Sequence, residues 1–165
     1  MIIVIKNKET LLYDDFKFNC SIGKKGSSKN KKEGDGKTPK GLFNLGYIYY
    51  RADRVPKPIS KINKIIIRKN MGWCDDSKSK YYNKLIKIKK NLKISYEKLF
   101  RNDNKYDYLI VIKYNYKRII KKKGSAIFLH LTKNYLPTKG CVALRKKDFL
   151  ILCKLINKMT KIKII

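Results

Sequence analysis

The chain carries seven short runs of β-branched and aromatic residues and only one longer stretch with helical spacing, and that ratio restricts it to mostly-β folds. The runs cover residues 2–6, 16–22, 43–50, 63–68, 108–114, 125–131 and 161–165. Each has strand length and is bounded by turn-forming residues. Strict alternation assigns Phe16, Phe18, Cys20 and Ile22 to one face of their strand. The helical stretch is 145–159, where Phe149, Leu152, Cys153 and Ile156 recur at i, i+3, i+4 and i+7 with lysines over much of the other face. A second, short helix is expected over 95–101, with Ser95 as its N-cap. The segment 23–41 holds five glycines and Pro39, and a loop of that length inside a compact domain is usually either functional or mobile. No internal repeat or interior linker divides the 165 residues, so one domain over 1–165 is expected.

Charge and cysteine usage narrow the function classes. The net charge is +30, and only six of the 42 basic residues are arginine. Such a lysine excess is compatible with simple compositional bias and with selection for an acidic partner, and either way it draws anions toward any cleft. Single-stranded nucleic acid is one such partner, and 12 tyrosines would supply stacking platforms. The lysines are spread along the chain without a recognition helix, which weighs against that reading. The cysteines stand at 20, 74, 141 and 153 with no C-x-x-C pair, and there is one histidine, so no metal site is expected. Cys20 and Cys153 fall on apolar faces and read as packing residues. No stretch reaches the about 18 apolar residues of a membrane span, and the first apolar run is too short for a secretory signal.

The chemistry concentrates near the C-terminus. The run 125–131 contains the only histidine, His130, and a polar loop then returns to Gly140 and Cys141. Each residue alone reads most simply as packing. Together, a strand bearing His130 and a loop returning to Cys141 can meet at one sheet edge, where an imidazole activates a thiol. Gly140 permits close backbone approach, and the amides of Gly140 and Cys141 are candidates to face an oxyanion.

These residues carry a resemblance. GSAIFLH (124–130) followed by PTKGCVAL (137–144) resembles the catalytic domain of the L,D-transpeptidases, of the YkuD type. EGDGKTPKGLF (33–43) is similar to that family's upstream Gly-Asp-Gly-Lys-Thr-Pro signature, and GWCDD (72–76), YYN (81–83), YD (106–107) and the Asn115 region follow in the order of one of its branches. The resemblance runs from about Phe16 to the C-terminus. It implies a β-sandwich or bent barrel whose C-terminal helix packs after the catalytic cysteine. It also implies a role in peptidoglycan biosynthesis, cell wall and cell shape. Cys141 would attack a peptidoglycan stem peptide at the bond between a diamino acid and a terminal D-alanine, and His130 would be the base. An amine acceptor would then resolve the thioester, and no cofactor or metal is implied.

Around that pair, the resemblance implies that Gly140 lines the oxyanion hole. Thr138 would hydrogen-bond backbone beside the nucleophile, and Lys139 would hold a thiolate by charge, with a solvated loop lysine as the alternative. Trp73, Asp75, Tyr82, Asn83 and Ser125 would wall the substrate cleft, the alternatives being packing against the sheet for Trp73, capping a turn for Asp75 and opening the strand to His130 for Ser125. Asp35, Gly36, Thr38 and Pro39 read as turn-builders ahead of substrate contacts. The chain departs from many members by having Lys139 in place of a histidine and Ala143 in place of an arginine or asparagine. Hydrolytic trimming of the same peptides by the same fold therefore stays open beside transfer. The family implies the cell envelope or periplasm. Because no export signal is read, action on a cytoplasmic wall precursor stays open too.

Overall fold

The computed structural model describes residues 1–165. A meander of β1 (Ile2–Ile5), β2 (Thr10–Tyr13) and β3 (Phe16–Asn19) opens the chain. Within the loop that follows, β4 (Ser27–Ser28) pairs with β5 (Thr38–Pro39). Next come the long β6 (Gly41–Tyr50) and β7 (Lys64–Ile66), then a separate three-stranded sheet of β8 (Met71–Cys74), β9 (Leu85–Lys87) and β10 (Tyr96–Lys98). The chain ends with β11 (Tyr108–Ile112), β12 (Phe128–Leu131), β13 (Val142–Leu144), helix α1 (Lys146–Leu155) and β14 (Lys161–Ile164).

Nine strands form one sheet in the order β13-β12-β11-β6-β14-β1-β2-β3, with β7 added to β6. The two ends of that sheet meet. Ser21, just past β3, exchanges both backbone hydrogen bonds with Ala143 of β13, at 2.9 and 2.8 Å. The fold is thus a mainly β, nearly closed barrel with one helix near the C-terminus. Its interior follows from two-residue alternation. In β14, Ile162 and Ile164 are buried while Lys161 and Lys163 are exposed. In β12 and β13, Leu129, Leu131, Val142 and Leu144 enter the main core, where Phe149, Leu152 and Cys153 of α1 pack. The opposite face of β11 and β12 carries a second core, with Leu109, Val111 and Phe128 packed with Trp73 and Tyr106.

Three expectations are corrected. The short helix over 95–101 is absent: Tyr96–Lys98 is strand β10, paired antiparallel with β8. Two turns of helix are marginal on their own, and Gly72 leaves room for the Tyr96 ring, since a Cβ there would meet Tyr96 Cδ2 at 2.9 Å. The C-terminal helix stops at Leu155, because Ile156 turns to extended backbone (φ −83°, ψ 156°) while remaining fully buried. Phe18, Cys20 and Ile22 share the buried face as alternation requires, but Phe16 lies 43% exposed next to the Asp14–Asp15 turn, stacked on Phe18.

The seam is tightest at Gly23, where an added Cβ would meet the Gly36 carbonyl oxygen at 2.5 Å. Gly23→Ala is expected to lower stability by about 1–3 kcal/mol through overpacking against backbone that cannot yield, measured as a shift in the urea midpoint. An unchanged midpoint would show that the seam is loose.

Candidate active site

β12 and β13 run parallel, with Leu129 opposite Val142 and His130 opposite Ala143. Continuing that register one residue back sets Cys141 beside Phe128. Alternation therefore puts Phe128, His130, Cys141 and Ala143 on the face away from the main core, and Cys141 packs against the second core. Its sulfur accepts a hydrogen bond from the Phe128 amide (3.4 Å) and donates to the Ala126 carbonyl (3.3 Å). His130 is 7% exposed and lies edge-on to the Tyr106 ring, 5.4 Å between centroids. Its Nδ1 faces the Leu131 carbonyl oxygen at 2.9 Å. A carbonyl can only accept, so Nδ1 carries the proton and Nε2 keeps its lone pair.

The loop before Cys141 is built from both of the glycine-rich motifs. Thr138 donates to the Cys141 carbonyl (2.6 Å) and accepts from the Gly140 amide (3.1 Å). Its backbone bonds Ile22 and Lys24 across the seam. Gly140 has φ +144°, and a Cβ there would meet the Lys37 carbonyl oxygen at 2.9 Å. Lys37 belongs to the 33–43 motif, whose Asp35 accepts from Lys31 Nζ (2.6 Å) and from the amides of Lys32 (2.8 Å) and Lys37 (2.9 Å). Burial alone would raise the Asp35 carboxyl. The three donors outweigh it and hold the group below its usual range. Asp35 and Thr38 thus build and anchor a turn, Thr38 accepting from the Gly23 amide at 2.8 Å. Because the Gly140 amide is occupied by Thr138, the amides without a partner beside it are those of Lys139 and of Cys141 itself.

The residues expected to wall the cleft lie behind it instead. Trp73, Tyr82, Asn83 and Ser125 are all buried. Asn83 Oδ1 accepts from Trp73 Nε1 (2.9 Å) and the Ala126 amide (3.1 Å), and its Nδ2 donates to the carbonyls of Tyr114 and Asn115. Tyr82 and Ser125 both donate to Glu33 Oε2, and Tyr82 accepts from the Gly124 amide. This network clamps 124–126, where Ala126 takes an unusual φ of +51°, and so aims the Ala126 carbonyl at the sulfur. Asp75 is half-buried on the same small sheet, its amide bonded to the Ser95 carbonyl, and does not line the cleft.

The cleft that His130 and Cys141 share has a volume of about 780 Å³, with Thr138 and Lys139 on one rim. Its other wall is the 97–107 segment, which overlaps the 95–101 stretch expected as helix and supplies none of the expected site residues. Arg54 holds this segment from behind by donating to the carbonyls of Arg101, Asn102 and Asp103, and Arg51 also reaches Arg101 while lying 3.4 Å from the Phe100 ring. The segment brings in Glu97, Arg101 and Tyr106. Only the YD pair at 106–107 had signalled it.

Burial sets the protonation states. It pushes the Cys141 thiol up to about 12, the Glu97 charge adding to it, against weaker help from the Phe128 amide and Lys31. Lys31, rather than the exposed Lys139, is the cation that favours the thiolate. Burial also pushes the His130 imidazole down to about 4, with Lys105 and Arg101 assisting and the Leu131 carbonyl opposing. The resting pair is a neutral thiol and a neutral imidazole.

Residues 1–164 match the family model described as the L,D-transpeptidase catalytic domain, YkuD. No curated protein matches the chain.

The buried imidazole makes stability depend on pH. Between about 4 and 6.5 the unfolded chain binds a proton at residue 130 that the folded chain does not, so stability falls as the solution is acidified through that window and is fully restored above it. The loss attributable to His130 is on the order of 3 kcal/mol by pH 4. Urea titrations of the wild type and His130→Gln should diverge in slope across this window, and parallel curves would contradict the assignment.

Proposed function

This chain belongs to the L,D-transpeptidase catalytic domain family, a family that acts on peptidoglycan peptides, and we propose that it is an acyltransferase with Cys141 as nucleophile and His130 as base. One observation carries the proposal: the only histidine and a half-buried cysteine share a face of two adjacent strands and line one cleft, with the histidine's Nδ1 tied to a carbonyl so that Nε2 is free to take a proton. The donor is a peptidoglycan stem peptide, and the acceptor is the amine of a second stem.

The chemistry starts from the neutral pair. On substrate entry the thiol turns from the Ala126 carbonyl toward His130. As Sγ attacks the carbonyl carbon of the diamino acid residue, its proton passes to Nε2. The unpartnered Cys141 amide supports the developing oxyanion, and the Phe128 amide supports the sulfur. Collapse breaks the C–N bond. The imidazolium gives its proton to the departing D-alanine nitrogen, which leaves a thioester on Cys141. An amine then attacks the thioester, loses a proton to Nε2, and the sulfur departs and recovers that proton. Four cleft lysines, Lys105, Lys133, Lys139 and Lys146, have no ion-pair partner, and they would enrich the carboxylate-bearing stem peptide. The family's association with the cell wall agrees with this substrate. No helix is long and apolar enough to cross a membrane.

Incubation with a tetrapeptide stem, with and without an amine acceptor, tests the reading. The expected results are a mass adduct of the tripeptide acyl group on Cys141 and a cross-linked product that grows with acceptor. Cys141→Ser should abolish turnover with the fold intact, and His130→Ala should slow it by roughly 10²–10⁴-fold. An adduct on Cys20, Cys74 or Cys153 would refute the nucleophile. Hydrolysed tripeptide alone at every acceptor concentration would assign the hydrolytic reading instead.

The rate should also report the buried base. The acid limb of kcat/KM is expected near pH 4, where His130 protonates, and not near the ordinary histidine value of 6.5. A limb at the ordinary value would mean that the working imidazole is solvated.

A further inference from the structure

Beside the nucleophile stands a carboxylate that works against it. Glu97 lines the cleft, and its charge raises both the Cys141 thiol and the Tyr106 phenol. The other two cleft carboxylates are occupied. Asp103 is gripped by Arg101 at 2.9 and 2.6 Å, and Asp107 by Arg54 (3.2 Å) and Asn104 (2.9 Å). Glu97 accepts from the Tyr106 hydroxyl through Oε1 (2.7 Å) and has Arg101 only at 3.6 Å, about one third exposed. Its Oε2 has no hydrogen-bond partner. The Tyr106 bond also fixes where the carboxylate sits, and the Tyr106 ring packs on His130. Glu97 is thus an under-neutralised anion that lines the same cleft as His130 and Cys141 and acts on the sulfur by charge.

That position makes sense for one kind of ligand. A thiol that must ionise is hindered by a neighbouring negative charge, so Glu97 is a cost in the acylation half of the reaction. The resolving half is different. An amine acceptor arrives as an ammonium ion, and the rest of the cleft surface, with four unpaired lysines, repels it. A carboxylate close to the thioester offsets that repulsion at the point where the nitrogen must arrive.

We propose that Glu97 seats the ammonium group of the acceptor and thereby decides transfer over hydrolysis, an inference that rests on the acyl-transfer reading of the site. The step balances with groups already named. The bound ammonium gives one proton to the Glu97 carboxylate, which later releases it to water. The free amine attacks the thioester carbonyl, the N–C bond forms, and its second proton goes to His130 Nε2. The C–S bond breaks, and the sulfur takes that proton to become a thiol again.

The test is partitioning of a pre-formed Cys141 acyl-enzyme between water and added nucleophile, in wild type and Glu97→Gln. Two nucleophiles are compared: glycinamide, a largely cationic primary amine, and hydroxylamine, largely uncharged at neutral pH. Glu97→Gln is expected to cut capture by glycinamide roughly 10-fold, the order expected for losing one close charge pair, while capture by hydroxylamine falls far less. Acylation of Cys141 should become faster, and its alkylation by iodoacetamide should extend to lower pH, a change that mere loosening of the cleft would not give. Glu97→Asp, which keeps the charge and shortens the reach, should show an intermediate loss and serves if Glu97→Gln folds poorly. Equal losses for both nucleophiles, or an unchanged glycinamide preference in either variant, would overturn the assignment of Glu97 while leaving the nucleophile standing. Failure of the wild type to form any acyl-enzyme would instead remove the acyl-transfer reading, and this inference with it.

Discussion

β13 is three residues long, and everything at the site depends on its being held from both sides. On one side it lies parallel to β12, in the register that puts Cys141 and His130 on one face. On the other, Ser21 bonds Ala143, and Ile22 and Lys24 bond Thr138. A free edge strand of that length would fray, and the sulfur would wander with it. Closing the barrel removes that freedom. The glycines follow from the same constraint: Gly23 and Gly140 lie where backbone passes backbone, against the carbonyls of Gly36 and Lys37. The seam of the barrel and the loop of the nucleophile are one structure.

The same burial that holds the pair sets its electrostatics. The chain carries +30 overall, yet the sulfur and imidazole are held neutral, because desolvation next to them outweighs a field screened by water outside. Lys31 is the exception that comes close. It is buried, runs past Gly140 and Gly124, and reaches Cys141 by charge, but Asp35 takes most of its effect at 2.6 Å. Burial of this kind keeps the thiol and the imidazole neutral at rest.

Much of this was legible in the sequence. Short β-branched and aromatic runs marked β1, β3, β6, β7, β11, β12 and β14, the i, i+3, i+4, i+7 pattern marked α1, and the Gly-Cys element with a lone histidine marked two residues that share the cleft. What was not legible is what pairing decides. The 95–101 segment has enough helix-compatible residues to suggest a turn or two, and only the antiparallel partner β8 makes it strand. With that error Glu97 and Arg101 were lost from the front wall of the cleft, and only the motif at 106–107 pointed to Tyr106. β2, β8 and β9 are three or four residues each, too short for a period to stand out. Motif order located Trp73, Tyr82, Asn83 and Ser125 as residues that matter, but order along the chain does not say whether a residue faces ligand or backbone.

Hydrogen-bond valence does say so. Asn83 can accept two bonds and donate two, and the chain itself uses all four. Tyr82 both donates and accepts within the chain, Thr138 does the same, and Asp35 receives three donors. Asn83 is saturated, and the other three commit most of their bonds to the scaffold that aims the sulfur. Within the cleft the groups with valence to spare are Nε2 of His130, the amide of Cys141, the second oxygen of Glu97 and the lysines, whereas Ser21 Oγ and Asp75 Oδ1 are buried without a partner away from it. A buried polar residue with every bond satisfied is a clamp, whereas one left short at the edge of a cleft is waiting for a ligand. By that criterion the wall behind Cys141 is architecture, and the groups with room for a ligand face the cleft in front of it.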